Sequence, residues 1–287
     1  MNFSHFIITQ FNLKNFPLSD NNDSLTWLKW TRSRVDLFRE FCLPSIINQT
    51  CKGFTWLLYF DVDTPLEFNE FLNELNSFTF IKICYSKGYE DFNLKYTEEV
   101  IKRVGKSVKW IITTRMDNDD CLHKDAIKII QNNFVEKHKY LISLASGYVL
   151  NISDRLLSHY FYPMSPFLSL IENIDNDIGC VFEKGHTKWD SLQISISKEI
   201  WLNCFNRKAR KSQIILNGPL WIQTVHGGNV SNSFYRGFPV LKDRDLSVFS
   251  INFRNNKQQI TIIRKYSNYV MWKRYLKCLI VKTIFNK

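Results

Sequence analysis

The stretch KWIITTRMDNDD, residues 109–120, runs from an apolar segment into a cluster of carboxylates. Val108 to Thr114 is apolar and rich in β-branched side chains, which predicts a buried strand. Asp117, Asp119 and Asp120 follow it, and carboxylates this close raise one another's pKa unless a positive charge keeps them ionised. Because Mn²⁺ and Mg²⁺ prefer oxygen ligands, the stretch predicts a divalent metal site at the end of a strand.

The same carboxylates have simpler interpretations. An Asp- and Asn-rich turn would cap the helix predicted to begin near His123, a role that suits Asp120. A calcium-binding EF-hand loop is excluded, because Leu122 and Lys128 stand where that loop needs Gly and Glu. The capping turn therefore stays open beside the metal site.

Short apolar segments alternate with amphipathic ones along the first half of the chain. Further strands are predicted at 5–9, 54–60, 78–85 and 140–144. Helices are predicted at 25–48, 66–76, 95–106 and 123–138, and Pro44 is expected to bend or end the first of them. The strands are apolar throughout, which is typical of a mostly parallel sheet with helices on both faces. We therefore predict an α/β fold with such a central sheet, followed by a looser pattern after residue 150.

Two acidic motifs follow strands of this predicted sheet. Asp61-Val62-Asp63-Thr64 follows the second strand, and the motif at 117–120 follows the fourth. Ligands of parallel α/β sheets bind beyond the carboxyl ends of the strands. We therefore expect both motifs at one ligand-binding edge.

Composition limits the class of protein further. The 287-residue chain is 45% hydrophobic and 23% charged, which is ordinary for a globular protein. Its seven cysteines are scattered without C-x-x-C spacing, so no zinc or redox motif is expected and a reducing compartment fits. No signal peptide and no apolar run of about 18 residues is found, which predicts a cytoplasmic protein without a membrane-spanning helix.

Basic residues are concentrated towards the carboxyl end. The net charge is +11, and no acidic residue follows Asp245. As a helix, 264–287 places Trp272, Tyr275, Leu276 and Leu279 on one face and Lys273, Arg274 and Lys277 on another. This predicts peripheral contact with an anionic membrane, at the inner face of the cytoplasmic membrane; a helix packed on the domain with a solvated basic face is the alternative. Nucleic acid is not an expected partner, because the rest of the chain has no basic stripe or nucleic-acid motif.

Five stretches in order along the chain carry a resemblance to a known family. They are FIITQFN at 6–12, FCLPSIINQT at 41–50, FTWLLYFDVDTP at 54–65, ITTRMDNDD at 112–120 and WIQTVHGGNVSN at 221–232. With them the chain resembles inverting glycosyltransferases of the GT-A fold, in particular a bacterial rhamnosyltransferase family related to glycosyltransferase family 2. The resemblance implies a single nucleotide-diphospho-sugar transferase domain. Its expected activity moves a sugar, rhamnose by the family label, from a nucleotide-diphosphate donor to a glycan or lipid-linked acceptor in surface polysaccharide synthesis, with Mn²⁺ or Mg²⁺.

The pattern that loosens after residue 150 and the basic carboxyl end predict a division of the chain. The domain would span 1–250, with a nucleotide-binding half at 1–145 and an acceptor-binding half at 146–250. The basic helical tail would span 251–287.

The resemblance assigns roles to individual residues. The nucleotide or its sugar would be contacted by Thr9, Phe11, Asn12, Asp61, Asp63, Arg103, Arg115 and Asp117. Within that set Phe11 would stack on the base, although the usual Pro and Tyr of this turn are missing here, and Asp61 and Asp63 would read base or ribose. The metal ligands would be Asp117, Asp119 and His226, with Asp119 the direct one. For His226 a hydrogen-bonded structural role in a turn is the alternative.

Inverting transfer needs a carboxylate that takes the proton of the acceptor hydroxyl. Asp190, in the stretch HTKWD at 186–190, is the candidate base, because it follows a glycine and stands beside a Trp that could pack on a sugar ring. Glu172 and Asp177 are its rivals, and an exposed turn acid is the simpler interpretation of Asp190.

Two other functions remain open. The stretch from Phe60 to Thr64 resembles the nucleophile loop of haloacid-dehalogenase-type phosphatases and phosphotransferases, with Asp61 as nucleophile, although Pro65 departs from that pattern. A non-catalytic membrane-associated scaffold is the third possibility, and only the tail supports it.

Overall fold

The computed structural model describes residues 2–15, 23–162, 165–189, 211–226, 238–240 and 244–252, together with Trp272 and Leu276. The strands are β1 Phe3–Gln10, β2 Thr55–Asp61, β3 Ile81–Ser86, β4 Trp110–Arg115, β5 Cys121–Leu122, β6 Tyr140–Leu144, β7 Ser146–Asn151, β8 Leu156–Phe161, β9 Leu168–Asn173, β10 Ser212–Ile215, β11 Trp221–Val225 and β12 Phe238–Pro239. The α-helices are α1 Ser24–Leu37, α2 Leu43–Ile47, α3 Asn69–Asn76, α4 Gly88–Ile101 and α5 Ala126–Asn132. A π-helical turn spans Phe38–Cys42, and 3₁₀ turns span Leu66–Phe68, His186–Lys188 and Ser247–Phe249.

The larger sheet has seven strands in the order β10-β6-β9-β4-β1-β2-β3. Its pairs β1–β2, β1–β4, β2–β3 and β6–β10 are parallel, and β9 runs antiparallel to both β4 and β6. The chain builds outwards from β1 to β3 and then returns to place β4 on the other side of β1. Such a reversal opens a crevice at the carboxyl ends of β1 and β4, where α/β proteins bind ligands.

Helices cover both faces of this sheet, as predicted. Along β1, Ile7 packs in the cluster that contains residues of α1, α3 and α5, whereas Phe6 and Ile8 pack in the cluster that contains residues of α4. Successive strand residues point to opposite faces, so a strand buried on both must be apolar at every position. The continuous apolar strands of the sequence therefore follow from this two-sided burial, and the predicted α/β class is confirmed.

The first predicted helix, at 25–48, is present, but Pro44 does not end it. The helix continues through a π-helical turn at Phe38–Cys42 into α2, which ends at Ile47. A proline lacks an N–H, and its ring clashes with the carbonyl four residues earlier in a regular α-helix. The wider π turn before Pro44 accommodates both effects without breaking the helix.

Two other helices differ from their predicted bounds. The helix predicted at 95–106 begins earlier, at Gly88, whose φ of +75° suits a glycine. The start of this helix is held by a distant contact, because the Gly88 N–H donates to Asp61 Oδ2 at 3.0 Å. The helix predicted at 123–138 is reduced to α5, between Ala126 and Asn132.

A second sheet follows the first, where the sequence predicted only a looser pattern. Its order is β12-β8-β7-β11-β5, with β7–β11 parallel and β5–β11, β7–β8 and β8–β12 antiparallel. Strand β5 begins immediately after the acidic residues 117–120, so this segment connects the two sheets. Strand β5 could not be predicted from the sequence, because a strand of two residues is too short to show hydrophobic periodicity.

Strand β7 passes directly beneath a tryptophan of β11. A Cβ added to Gly147 would lie 2.0 Å from the Trp221 ring, which is fully buried. The ring is also held by its Nε1, which donates to the Leu144 carbonyl at 2.5 Å. Only glycine therefore leaves room for this ring at position 147.

Gly147→Ala is accordingly expected to destabilise the protein, since overpacking a rigid core costs about 1–3 kcal/mol or more. The midpoint of urea unfolding measures the effect. Gly105→Ala is the matched control, because its added Cβ would meet only the Val108 side chain, at 3.3 Å. A Gly147→Ala protein as stable as the wild type would contradict the described packing of Trp221.

The predicted tail lies mostly outside the described residues. Of the segment 264–287, only Trp272 and Leu276 are described, both about half exposed, and the Trp272 ring lies 5.4 Å from that of Phe238. Among the described residues, no helix has both the length and the apolar character needed to span a membrane. The division at 145 and 250 and the membrane contact of the tail stay predictions.

Candidate functional site

The acidic segment is anchored to the end of β1. The Met116 N–H donates to the Ile8 carbonyl at 3.1 Å, and Asn118 Nδ2 donates to the Phe11 carbonyl at 2.7 Å. These contacts fix residues 116–120 at the crevice between β1 and β4. The carboxylates therefore lie at the edge where the sheet order predicts ligand binding.

Asp119 is buried and paired with two nitrogen groups. Its Oδ2 lies 2.5 Å from Arg34 Nη1 and 3.0 Å from His226 Nε2, and the three side chains are no more than 12% exposed. Burial raises the pKa of the Asp119 carboxyl. The hydrogen bond from His226 and the charge of Arg34 together lower this pKa by more than burial raises it. The net pKa lies below its usual value, so Asp119 is an anion in this setting.

Asp120 has a structural partner different from the one expected. Its Oδ1 accepts from the Thr224 N–H of β11 at 3.0 Å, and Thr224 Oγ1 donates to the Asp119 carbonyl at 2.9 Å. Helix α5 begins only at Ala126, after Asp125 in the N-cap position, so the prediction that Asp120 caps this helix is wrong. Asp120 instead ties the second sheet to the acidic segment.

The second oxygen of Asp120 is left unsatisfied. Asp120 is fully buried, and its Oδ2 has no hydrogen-bond partner among the described residues. Burial raises the pKa of this carboxyl well above its usual value, and the negative charges of Asp119 and Asp117 raise it further.

Asp117 and Arg115 form the open side of the site. The Asp117 side chain is 39% exposed, and Arg115 Nη2 lies 3.3 Å from its Oδ1. The Arg115 guanidinium also lies 5.2 Å from the centre of the Phe182 ring. A partly exposed carboxylate and a partly exposed guanidinium thus lie close to Asp119 in the chain.

The predicted base-stacking role of Phe11 is contradicted by its burial. Its ring is 1% exposed and stacks on Phe60 at 4.5 Å, with Phe38 and Phe71 at further sides. A nucleotide base would have to displace this aromatic core to reach it. Phe11 therefore belongs to the support of the site.

Thr9 and Asn12 are buried beneath the same edge. Thr9 Oγ1 accepts from Trp56 Nε1 at 3.0 Å. Asn12 Oδ1 accepts from the Asp61 N–H at 3.0 Å, and its Nδ2 donates to Thr64 Oγ1 at 3.1 Å. Both side chains are committed to holding β1 against β2, which leaves their predicted contact with a nucleotide without structural support.

The Asp61 carboxylate connects three strand ends. Its Oδ2 accepts the N–H groups of Lys14 and Gly88, both at 3.0 Å, and its Oδ1 accepts that of Asp63 at 3.0 Å. The side chain is 1% exposed. A carboxylate bound in this way offers no accessible nucleophilic oxygen, which argues against the dehalogenase-type alternative.

Asp63, by contrast, faces solvent at the same edge. Its side chain is 62% exposed and pairs with Lys14 Nζ at 2.8 Å. The hydrogen bond and charge of Lys14 lower the pKa of the Asp63 carboxyl. The ammonium group of Lys14 also lies 4.6 Å from the Trp27 ring. Asp63 and Lys14 are therefore the accessible polar pair beyond β1 and β2.

Other predicted residues lie apart from the acidic segment. Arg103 donates to the carbonyl of Glu99 at 3.0 Å and pairs with its carboxylate, and no described contact links it to residues 116–120. Glu172 is fully buried, and its two oxygens accept the N–H groups of Gly179 and Cys180, so it is no accessible base. Asp190 lies outside the described residues.

Arg34 contacts the acidic segment although the sequence did not indicate it. It stands in α1 among other charged residues, and its burial beside Asp119 arises from contacts 85 positions apart. One local signal was present, because Trp30 stands one helical turn earlier and its ring lies 5.0 Å from the Arg34 guanidinium.

The donor set has the chemistry of a site for a hard divalent cation. Asp117 and Asp119 supply carboxylate oxygens, His226 supplies a ring nitrogen, and a buried Asp120 oxygen has no partner among the described residues. No three such side chains converge on one point within the described ranges. The ligand types suit Mn²⁺ or Mg²⁺, but the described side chains are not arranged around a common ion position, and Arg34 occupies the Asp119 oxygen that is predicted to bind the ion.

Sheet order and acidic edge together define an α/β fold with a ligand crevice at the carboxyl ends of β1 and β4, as the resemblance to GT-A transferases predicted. A family model described as "Putative rhamnosyl transferase" matches residues 2–197, more than half of the chain. The chain belongs to this family and is a glycosyltransferase. No curated protein matches it significantly in sequence.

Solved structures with related architecture are distant. The chain is 10% identical to 4-diphosphocytidyl-2C-methyl-D-erythritol synthase from Anaerococcus prevotii DSM 20548, with a TM-score of 0.33 over 75% of this chain and 87% of that one. It is 15% identical to S. aureus TarS, with a TM-score of 0.34 over 78% and 37%. It is 10% identical to a "putative nucleotide-diphospho-sugar transferase" from Desulfovibrio desulfuricans G20, with a TM-score of 0.35 over 92% and 98%.

Proposed function

We propose that this glycosyltransferase moves a sugar, with rhamnose the first candidate, from a nucleotide-diphosphate donor to a hydroxyl of a glycan or lipid-linked acceptor. The observation that carries the proposal is the pair of carboxylates at the crevice between β1 and β4, with Asp119 buried and Asp117 accessible. Membership of the rhamnosyl transferase family supports it. Inversion at the sugar carbon is part of the proposal.

Transfer requires that negative charge on the departing nucleoside diphosphate be stabilised. Arg115 is suited to this, because its guanidinium is partly exposed and can bind two phosphate oxygens at once. Asp119 is held rigidly by Arg34 and His226. A divalent cation, when bound, would be held by Asp117, Asp119 and His226 and would neutralise the diphosphate.

The nucleoside end of the donor is proposed to lie beyond β1 and β2. Asp63 is exposed there and pairs with the partly exposed Lys14, and a carboxylate can accept from ribose hydroxyls or a base N–H. Four buried residues would support this edge without touching the donor: Thr9, Phe11, Asn12 and Asp61. Arg103 stays a predicted contact of the nucleotide, on the basis of the family resemblance alone.

The acceptor side is proposed from the sequence. Asp190 remains the candidate base that takes the proton of the acceptor hydroxyl. The basic tail remains the candidate contact with the inner face of the cytoplasmic membrane, where lipid-linked acceptors of surface polysaccharide synthesis would be met.

A panel of sugar nucleotides tests the function. We expect the full chain with Mn²⁺ or Mg²⁺ to release nucleoside diphosphate from one donor about tenfold faster or more than from the others, since polar recognition of sugar and base discriminates strongly. Removal of the metal with a chelator should reduce this rate. Glu74→Gln, which changes an exposed carboxylate paired with Arg39 outside the site, is the control and should behave as the wild type. If no donor in the panel is bound or consumed, the proposal is wrong.

A further inference from the structure

Arg34 places a fixed positive charge on the carboxylate that is predicted to bind metal. Its guanidinium lies 2.5 Å from Asp119 Oδ2 and 3.4 Å from Asn118 Oδ1. The Trp30 ring lies 5.0 Å from the same guanidinium. Arg34 is only 5% exposed, so this pair is part of the folded interior.

A guanidinium and a divalent ion repel each other when both contact the same carboxylate oxygen. Both carry positive charge, and in a poorly solvated site their repulsion is weakly screened. Inner-sphere coordination of Asp119 Oδ2 would therefore require the Arg34 guanidinium to move away. His226, whose Nε2 lies 3.0 Å from the same oxygen, would remain beside Asp119.

We propose that Arg34 is a resident cation that competes with a divalent metal ion for Asp119 and thereby sets the metal affinity of the site. The inference rests on the proposed function only in taking Asp119 as a metal ligand. Arg34 neutralises the buried carboxylate when no ion is bound, so the acidic segment folds without metal. The buried Asp120 Oδ2, unpartnered within the described part of the chain, is a second unsatisfied acceptor in the same segment that a bound cation would satisfy.

The proposal predicts an apparent metal affinity equal to the intrinsic affinity multiplied by the fraction of protein in which Arg34 is displaced. Arg34→Gln removes the competing charge and keeps hydrogen-bonding capacity. We therefore expect Arg34→Gln to bind Mn²⁺ about tenfold more tightly or better than the wild type, and Arg34→Lys to fall between them. The measurement is a titration of the full chain with Mn²⁺ alone, followed by the electron paramagnetic resonance signal of the free ion.

Arg32→Gln is the matched control. Arg32 stands two residues earlier in α1, with its side chain 57% exposed and paired with Glu67 away from the acidic segment. Its Mn²⁺ affinity should equal that of the wild type. A second test adds Asp119→Asn to Arg34→Gln, which should abolish the gain in affinity.

The outcomes separate clearly. Unchanged, weaker or absent Mn²⁺ binding in Arg34→Gln overturns the proposal, as does a gain that survives Asp119→Asn. If Arg34→Gln does not fold, Arg34→Lys decides: tighter binding than the wild type supports the proposal, and equal or weaker binding overturns it. Sugar transfer measured separately keeps the two claims apart, because transfer without any gain in Arg34→Gln refutes only the competition, and a gain without transfer refutes only the function.

Discussion

Asp119→Asn is expected to lower the initial rate of sugar transfer about 10²- to 10³-fold, the usual loss when one preorganised electrostatic group is removed from an active site. Asparagine keeps the size of the side chain but removes the charge that Arg34 and His226 surround. Any ion or diphosphate that depends on this charge should then bind poorly. The measurement is nucleoside diphosphate release at saturating donor.

Loss of activity must be separated from loss of structure in this variant. Asp119→Asn leaves the buried Arg34 without its anionic partner, which also reduces stability. The melting temperature and circular dichroism spectrum of the variant should therefore be recorded. The rate should be measured at a temperature below the unfolding transition.

Asp175→Asn is the matched control for Asp119→Asn. Asp175 is exposed and follows β9, whose end at Asn173 pairs with Trp110 at the start of β4. It therefore lies at the opposite edge of the sheet, and its rate should stay unchanged. A folded Asp119→Asn protein with nearly wild-type transfer would remove Asp119 from the site.

Asp61→Ala is expected to lower the free energy of unfolding by about 3–5 kcal/mol, because three backbone N–H groups lose a charged acceptor and each such loss costs about 1–3 kcal/mol. These groups belong to Lys14, Asp63 and Gly88, so the ends of β1, β2 and β3 would loosen together. Urea unfolding with an unchanged slope would measure the effect.

Asp63→Ala is the control for this prediction. It removes a carboxylate of the same motif that is 62% exposed and bound to one lysine, so the unfolding midpoint should hardly move. The same variant should weaken donor binding if Asp63 contacts the nucleoside. Equal stability of Asp61→Ala and Asp63→Ala would show that the Asp61 hydrogen bonds are not structural.

The residues Asp61 and Asp63 also show what a sequence motif can and cannot predict. Asp61 and Asp63 are two residues apart and looked equivalent as contacts of a base or ribose. The fold buries one and exposes the other, because Asp61 ends β2 under the loops that follow β1 and β3, whereas Asp63 has already left the sheet. Position in the chain could not separate these roles.

Phe11 is a second residue whose burial could not be predicted from its local sequence. An aromatic residue after β1 suggested base stacking, but its environment consists of Phe38, Phe60 and Phe71 from later elements. Burial depends on which helices cover the strand end. That information is spread over the sequence and has no local signature.

The sequence by itself determined strands β1 to β4 and β6 of the first sheet, and the edge where these strands are followed by charge. Continuous apolar strands required burial on both faces, and carboxylates directly after β2 and β4 had to meet at one end of a parallel sheet. Only the tertiary structure decided which carboxylate is buried and what neutralises it. Arg34 and His226 lie 85 and 107 positions from Asp119, and a buried charge is stabilised by whichever groups the fold brings within a few ångströms.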